Sequence, residues 1–139
     1  MSMVGLVIVT HGRLAEEVLR TLESVLGPLE AVEALSTSVS ETPESIRTRI
    51  EAAVHRVDRG DGALILTDML GDTATNQSLR IAQATGVEVI AGANVPMLIK
   101  LTSARREMDV HSLARFIQRY GREHIFWATE PVERKRNTR

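Results

Sequence analysis

Three short, unbroken apolar runs, each ending at a polar turn, constrain this chain more than any other feature. They are Val4 to Thr10 (VGLVIVT), Ala63 to Thr67 (ALILT) and Val87 to Ala91 (VEVIA). Runs of this length without polar alternation read as strands covered on both faces, the pattern of a parallel sheet. The segments between them carry helical spacing. Leu14 to Leu26 has apolar residues at 14, 15, 18, 19, 22, 25 and 26 and stops at Gly27-Pro28. After a weaker strand at Val32 to Leu35, Thr42 reads as an N-cap and Pro43 as the first helical position. Ile46, Ile50, Ala53, Val54 and Val57 then lie on one face. A helix is predicted from Thr73 or Ala74 to Thr85, and two more over 97–106 and 110–122. His124 to Ala128 (HIFWA) reads as a final strand.

Strands alternating with helices at these intervals imply βαβ units. The expected fold is an open, doubly wound α/β domain over residues 1–130. Its mainly parallel sheet has the order 2-1-3-4, helices on both faces and an extra C-terminal strand. A length of 139 residues suits one such domain, and 43% hydrophobic content suffices for its core. The formal charge of −1 argues against a general polyanion binder, so no nucleic acid is expected as partner. Only residues 131–139 are basic, and they read as a disordered tail. The absence of cysteine excludes disulfides, thiolate zinc sites and cysteine nucleophiles. The first apolar run is too short for a signal sequence or a membrane span, so a cytoplasmic protein without membrane insertion is expected. All four aromatic residues, Phe116, Tyr120, Phe126 and Trp127, fall near the C-terminus. The first 115 residues thus offer no aromatic platform for stacking a sugar or a base.

In a doubly wound sheet, ligands bind beyond the carboxyl ends of the strands, where the strand order reverses. The order 2-1-3-4 makes strands one and three neighbours at that point. The residues just past them are Thr10-His11-Gly12 and Asp68-Met69-Leu70-Gly71. His11 and Asp68 are therefore expected to face each other. A carboxylate that accepts one ring N–H fixes the tautomer and leaves the other nitrogen's lone pair outward. Gly12 allows close backbone approach. The segment from Gly71 leads into a helix N-terminus, which favours an anion, and Thr73 or Thr75 adds a hydroxyl. These ingredients suit phosphoryl transfer through nitrogen. Taken singly, His11 could be a structural hydrogen-bonding residue and Asp68 a turn cap. His55, His111 and His124 read as surface or capping residues. No His-x₃-His pair supports a dedicated metal site, and no nucleotide-binding or hydrolase motif is present. Neither a metal nor a cofactor is expected.

At these residues the sequence resembles the IIA component of the mannose family of the bacterial phosphoenolpyruvate-dependent sugar phosphotransferase system. The resemblance covers roughly residues 3–130 and rests on three blocks in order. They are Val7-Ile-Val-Thr-His11-Gly12-Arg-Leu-Ala-Glu16, Leu64-Ile-Leu-Thr-Asp68-Met-Leu-Gly71 with Asn76, and Ile90-Ala-Gly-Ala-Asn94-Val-Pro96-Met97-Leu98. It implies that His11 accepts a phosphoryl group on Nε2 from the carrier protein HPr and that Asp68 holds the other nitrogen. It further implies that the loop after Gly71, with Thr73, binds the phosphoryl oxygens. Gly12 and Asn94 are read as site-wall residues. The resemblance also implies a homodimer, often with the final strand exchanged between subunits. The four aromatics would fit that exchange, or fill their own subunit's core.

One departure stands out. Where the family pattern is Gly-Gly-Ser-Pro or Gly-Ala-Thr-Pro, this chain has Gly71-Asp72-Thr73-Ala74. Asp72 adds negative charge near a site meant for a dianion. It points to solvent, caps the helix or weakens phosphorylation, and Arg13 is a candidate to offset it. No IIB domain follows in this sequence, so the expected acceptor is a separate IIB protein or a regulatory target. Two rival readings remain: a metal-handling protein like the small chelatases of tetrapyrrole metabolism, and a phosphorylation-silent dimeric scaffold.

Overall fold

The structure, a computed structural model, describes residues 3–131. Four strands form one sheet: β1 (Gly5–His11), β2 (Val32–Thr37), β3 (Ala63–Thr67) and β4 (Glu88–Ala91). All neighbours are parallel and the order is β2-β1-β3-β4, as the apolar runs implied. Among the described residues, five helices connect and follow them: α1 (Leu14–Leu26), α2 (Pro43–Val57), α3 (Thr73–Thr85), α4 (Val95–Ala104) and α5 (Val110–Glu123).

The two central strands alternate between two cores. Leu6, Ile8, Leu64 and Leu66 pack on one face with Ala15 and Leu22 of α1 and with buried residues of α4 and α5. Val7, Val9, Ala63 and Ile65 pack on the other with Ile46, Ile50 and Val54 of α2 and Ile81 of α3. Burial on both faces is why these strands show no polar alternation. The edge strands β2 and β4 are only half-buried, which explains the weaker apolar signal of Val32–Thr37.

Helix starts follow local chemistry. Thr42 caps α2 by accepting Ser45 N–H, with Pro43 at the first position. Asn94 caps α4 through Met97 N–H, so that helix begins at Val95, two residues before the sequence pattern suggested. Arg13 makes no capping bond for α1; the buried Thr10 hydroxyl accepts Ala15 N–H at 2.7 Å instead. That bond ties the end of β1 directly to the helix after it.

The C-terminal region departs from expectation. Residues 124–128 pair with no strand, and the described sheet has four strands. His124 stacks on Tyr120 at 3.7 Å between ring centroids and its Nδ1 bonds the Tyr120 carbonyl, holding the chain to the last turn of α5. A strand also needs a partner edge, and among the described residues this segment pairs with none. Ile125, Phe126 and Trp127 are left 74%, 74% and 57% exposed. Of the tail expected over 131–139, all but Pro131 lies outside the described residues.

Candidate functional site

The site forms where β1 and β3 leave the sheet side by side, with Val9 opposite Thr67. Past β1, the turn at His11-Gly12 is fixed by β2: Gly12 N–H donates to the Thr37 carbonyl, and the Thr37 hydroxyl donates to the Thr10 carbonyl. Gly12 has φ +54°, and a side chain there would meet no neighbour, so the glycine answers a backbone demand. Past β3, the turn 68–72 is held by Thr75. Its buried hydroxyl lies 2.7 Å from Thr67 Oγ1 and 2.6 Å from the Met69 carbonyl. Thr75 is therefore engaged in positioning the loop and is unavailable to a ligand.

These two turns bring His11 and Asp68 together, as predicted. Nδ1 lies 3.0 Å from Asp68 Oδ2, and the same oxygen accepts the His11 backbone N–H at 3.2 Å. The hydrogen bond that Nδ1–H donates to the Asp68 carboxylate is the main influence on the ring. It outweighs the opposing effect of burial and, aided by the negative charges of Asp68 and Asp72, raises the His11 pKa above the ordinary value. For Asp68, burial alone would push the carboxyl up. The bonds from the His11 side chain and backbone outweigh it and hold the group below the usual carboxylate range. An ionised Asp68 accepts, so Nδ1 carries the proton and Nε2 presents its lone pair. The imidazole is half-exposed, at 47%, while Asp68 is 15% exposed.

Asp72, the departure from the family pattern, is the N-cap of α3: Oδ1 accepts Thr75 N–H at 2.7 Å. It does not point to solvent, since its side chain is 9% exposed, and its Oδ2 lies 3.4 Å from His11 Nδ1. Two carboxylates thus converge on one ring nitrogen. Arg13 does not offset them; it is exposed and turns to Glu16 and Glu17 of its own helix.

A cleft of about 200 Å³ opens beside the imidazole. Thr73 and Ala74, at the start of α3, line one side, and Thr37, Ser38 and Glu41 line the other. Thr73 thus lines the same cleft as His11. The β2–α2 contribution was not foreseen. Because β2 neighbours β1, its carboxyl end had to reach the same edge, and the polar run Ser38-Val-Ser-Glu41-Thr was its signal. The Glu41 carboxylate is paired with Arg49 at 2.9 Å and accepts a hydrogen bond from the Ser45 hydroxyl. Gly71, at φ +91°, makes the turn ahead of Asp72 and is exposed. Asn94 has both polar groups engaged, Oδ1 by Met97 N–H and Nδ2 by the Gly121 carbonyl, and is not among the cleft residues.

The fold and site together are those of an open parallel α/β domain that holds a carboxylate-bound histidine where the strand order reverses. Residues 5–118 match the family model described as the PTS system fructose IIA component, EIIA-man. The chain belongs to this family, the mannose-family IIA components of the phosphotransferase system, which are phosphotransferase relay proteins. It is 36% identical over 103 residues to the PTS system mannose-specific EIIAB component of Escherichia coli strain K12, covering 73% of this chain and 32% of that protein. The chain spans about a third of the length of that relative. It is 29% identical over 107 residues to the putative phosphotransferase enzyme IIA component YadI of the same strain, covering 76% of this chain and 73% of YadI. The crystal structure of the phosphotransferase system component EIIA from Streptococcus agalactiae superposes with TM-score 0.82 at 25% identity, covering 89% of this chain and 96% of that one. The mannose/sorbose-specific IIA subunit from Enterococcus faecalis shares the fold, with TM-score 0.82 at 24% identity, covering 93% and 97%.

Proposed function

We propose that the chain is a phosphoryl carrier in which His11 Nε2 accepts the phosphoryl group of phospho-HPr. The lone pair of Nε2 attacks phosphorus in line, forming the new N–P bond as the donor's N–P bond breaks. The donor imidazole keeps that electron pair. The His11 ring then carries positive charge, which Asp68 stabilises through the proton held on Nδ1. No metal or cofactor enters this step. Thr73 and the turn at Gly71 receive the phosphoryl oxygens, and Gly12 keeps the approach to Nε2 clear of a side chain. The group then passes to a separate IIB protein or is read by a regulatory partner. The carrier works in the cytoplasm as a homodimer, built from the domain over residues 1–130. Among the described residues no helix is long and apolar enough to cross a membrane.

The observation that carries this reading is the hold of Asp68 on Nδ1, 3.0 Å away, on a half-exposed ring that lines the cleft. The test is intact-mass analysis after incubation with phosphoenolpyruvate, enzyme I and HPr. One added, acid-labile phosphoryl group that requires HPr is expected, and none on His11→Ala. Full labelling of His11→Ala would overturn the assignment. An unmodified but folded wild-type chain would favour the silent scaffold, for which the buried Asp72 carboxylate is the physical reason.

A further inference from the structure

The pair of carboxylates at Nδ1 is not explained by orienting the ring. One N–H can be donated to one oxygen, and Asp68 Oδ2 at 3.0 Å takes it. Asp72 Oδ2 remains 3.4 Å from the same nitrogen, on a side chain more than nine-tenths buried, without a hydrogen-bond partner. Asp68 Oδ1 is likewise buried and unpartnered. Buried carboxylate oxygens are costly to leave unsatisfied, and a proton on Nδ1 serves only one of them.

We propose that the unphosphorylated chain binds a first-row divalent cation between His11 Nδ1 and the carboxylates of Asp68 and Asp72. One ligand atom from each residue lies within 4.8 Å of the others. Bonds of about 2.0–2.2 Å in tetrahedral geometry put donor atoms about 3.3 Å apart, close to the 3.0 and 3.4 Å separations seen from Nδ1. One imidazole with two carboxylates suits zinc or manganese better than magnesium, which favours oxygen ligands and retains its water. The cation neutralises both acids at once, and any proton on Nδ1 is released to solvent.

The bound cation also controls the tautomer. With Nδ1 coordinated, the neutral ring carries its proton on Nε2, which then has no lone pair for phosphorus. Cation binding and phosphoryl uptake thus exclude each other. This consequence rests on the carrier reading, whereas the binding itself does not.

The first measurement is a competition for Zn²⁺ against a chromophoric chelator, with the wild-type chain and Asp72→Asn. Asparagine keeps the oxygen that caps α3 and removes the charge, and circular dichroism checks that the fold is retained. Wild type is expected to take one Zn²⁺ per chain, with at least tenfold weaker uptake by Asp72→Asn. Failure of wild type to withdraw Zn²⁺, or equal affinity in the two chains, would overturn the site. The second measurement follows labelling by pre-formed phospho-HPr with stoichiometric Zn²⁺. Wild type is expected to be blocked and restored by EDTA, while Asp72→Asn is labelled with or without the ion. Unimpeded labelling of the zinc-loaded wild type would overturn the exclusion. A chain that binds Zn²⁺ at Asp72 but is never labelled, even with EDTA, upholds the site and defeats the carrier reading instead.

Discussion

Asp68 Oδ2 accepts two N–H groups of His11, the ring Nδ1 at 3.0 Å and the backbone amide at 3.2 Å. The carboxylate therefore fixes both where the ring is attached and how it is turned. In Asp68→Asn the side-chain carbonyl can still accept the backbone amide, so the fold should persist. The negative charge that favours the phosphorylated ring is gone. Partners of this kind typically contribute 10–100-fold to the function of the residue they orient. Labelling by phospho-HPr is expected to slow by roughly that factor, with the far-ultraviolet dichroism unchanged. A wild-type rate would mean that Asp68 is only a turn residue.

The raised pKa of His11 sets a pH dependence. A fully protonated ring has no lone pair on Nε2, so the labelling rate should fall as pH drops through the His11 pKa. That inflection is expected above histidine's ordinary value of about 6.5, because the Asp68 bond and the charges of Asp68 and Asp72 favour the imidazolium. The same shift stabilises the folded chain below the ordinary value, and that contribution is lost as pH rises through the raised one. NMR titration of the His11 ring provides the check, and Asp68→Asn should move its midpoint down. A midpoint at or below the ordinary value in wild type would contradict the electrostatics.

Most of this fold was legible because its central strands are buried twice. Val7 and Val9 serve one core, Leu6 and Ile8 the other, so both parities had to be apolar. With strands one and three adjacent, the meeting of His11 and Asp68 followed from topology alone. Asp72 was visible as an anomaly, but its direction was not. Whether a carboxylate faces solvent or a ring depends on the helix start that Thr75 pins to Met69, a contact no spacing encodes. The HIFWA segment, expected as a strand that a partner subunit could receive, forms none within the single chain. Apolar and β-branched residues favour strand, but a strand also requires a neighbouring edge.

Gly5 brings β1 up against the end of α2. A Cβ at this position would fall onto the Val57 carbonyl and within 2.6 Å of Val57 Cγ2, at the end of α2. The carbonyl cannot rotate away as a side chain could. Gly5→Ala should therefore destabilise the chain by about 1–3 kcal/mol, as overpacked cores do. A urea midpoint equal to that of wild type would show that α2 can retreat from the sheet.

The Thr75 hydroxyl is buried between Thr67 and the Met69 carbonyl. Thr75→Val keeps the shape and removes both bonds, leaving the buried Thr67 hydroxyl without this partner at a cost of about 1–3 kcal/mol. Thr75→Ser, which restores the hydroxyl, should recover much of that loss. Because the bond to Met69 shapes the loop carrying Asp68, the valine variant should also label more slowly than its folded fraction accounts for. Equal stability of the valine and serine variants would remove the hydroxyl from the account.

The last prediction concerns the surface formed by Ile125, Phe126 and Trp127, at 74%, 74% and 57% exposure. Three consecutive large apolar side chains in water are an unusual cost for a lone chain and mark an association surface. The homodimer proposed above would cover them. Sedimentation at micromolar concentration should then give twice the 15.3 kDa chain mass. Phe126→Asp should shift the protein toward monomer without changing its secondary structure, since this residue lies outside every helix and strand. The single tryptophan, Trp127, supplies an independent readout. Its emission should move to longer wavelength on dilution as the indole returns to water, and the Phe126→Asp chain should show the long-wavelength emission at every concentration. A wild-type chain that sediments as a monomer, with emission independent of concentration, would remove the dimer and leave the HIFWA surface for a different partner.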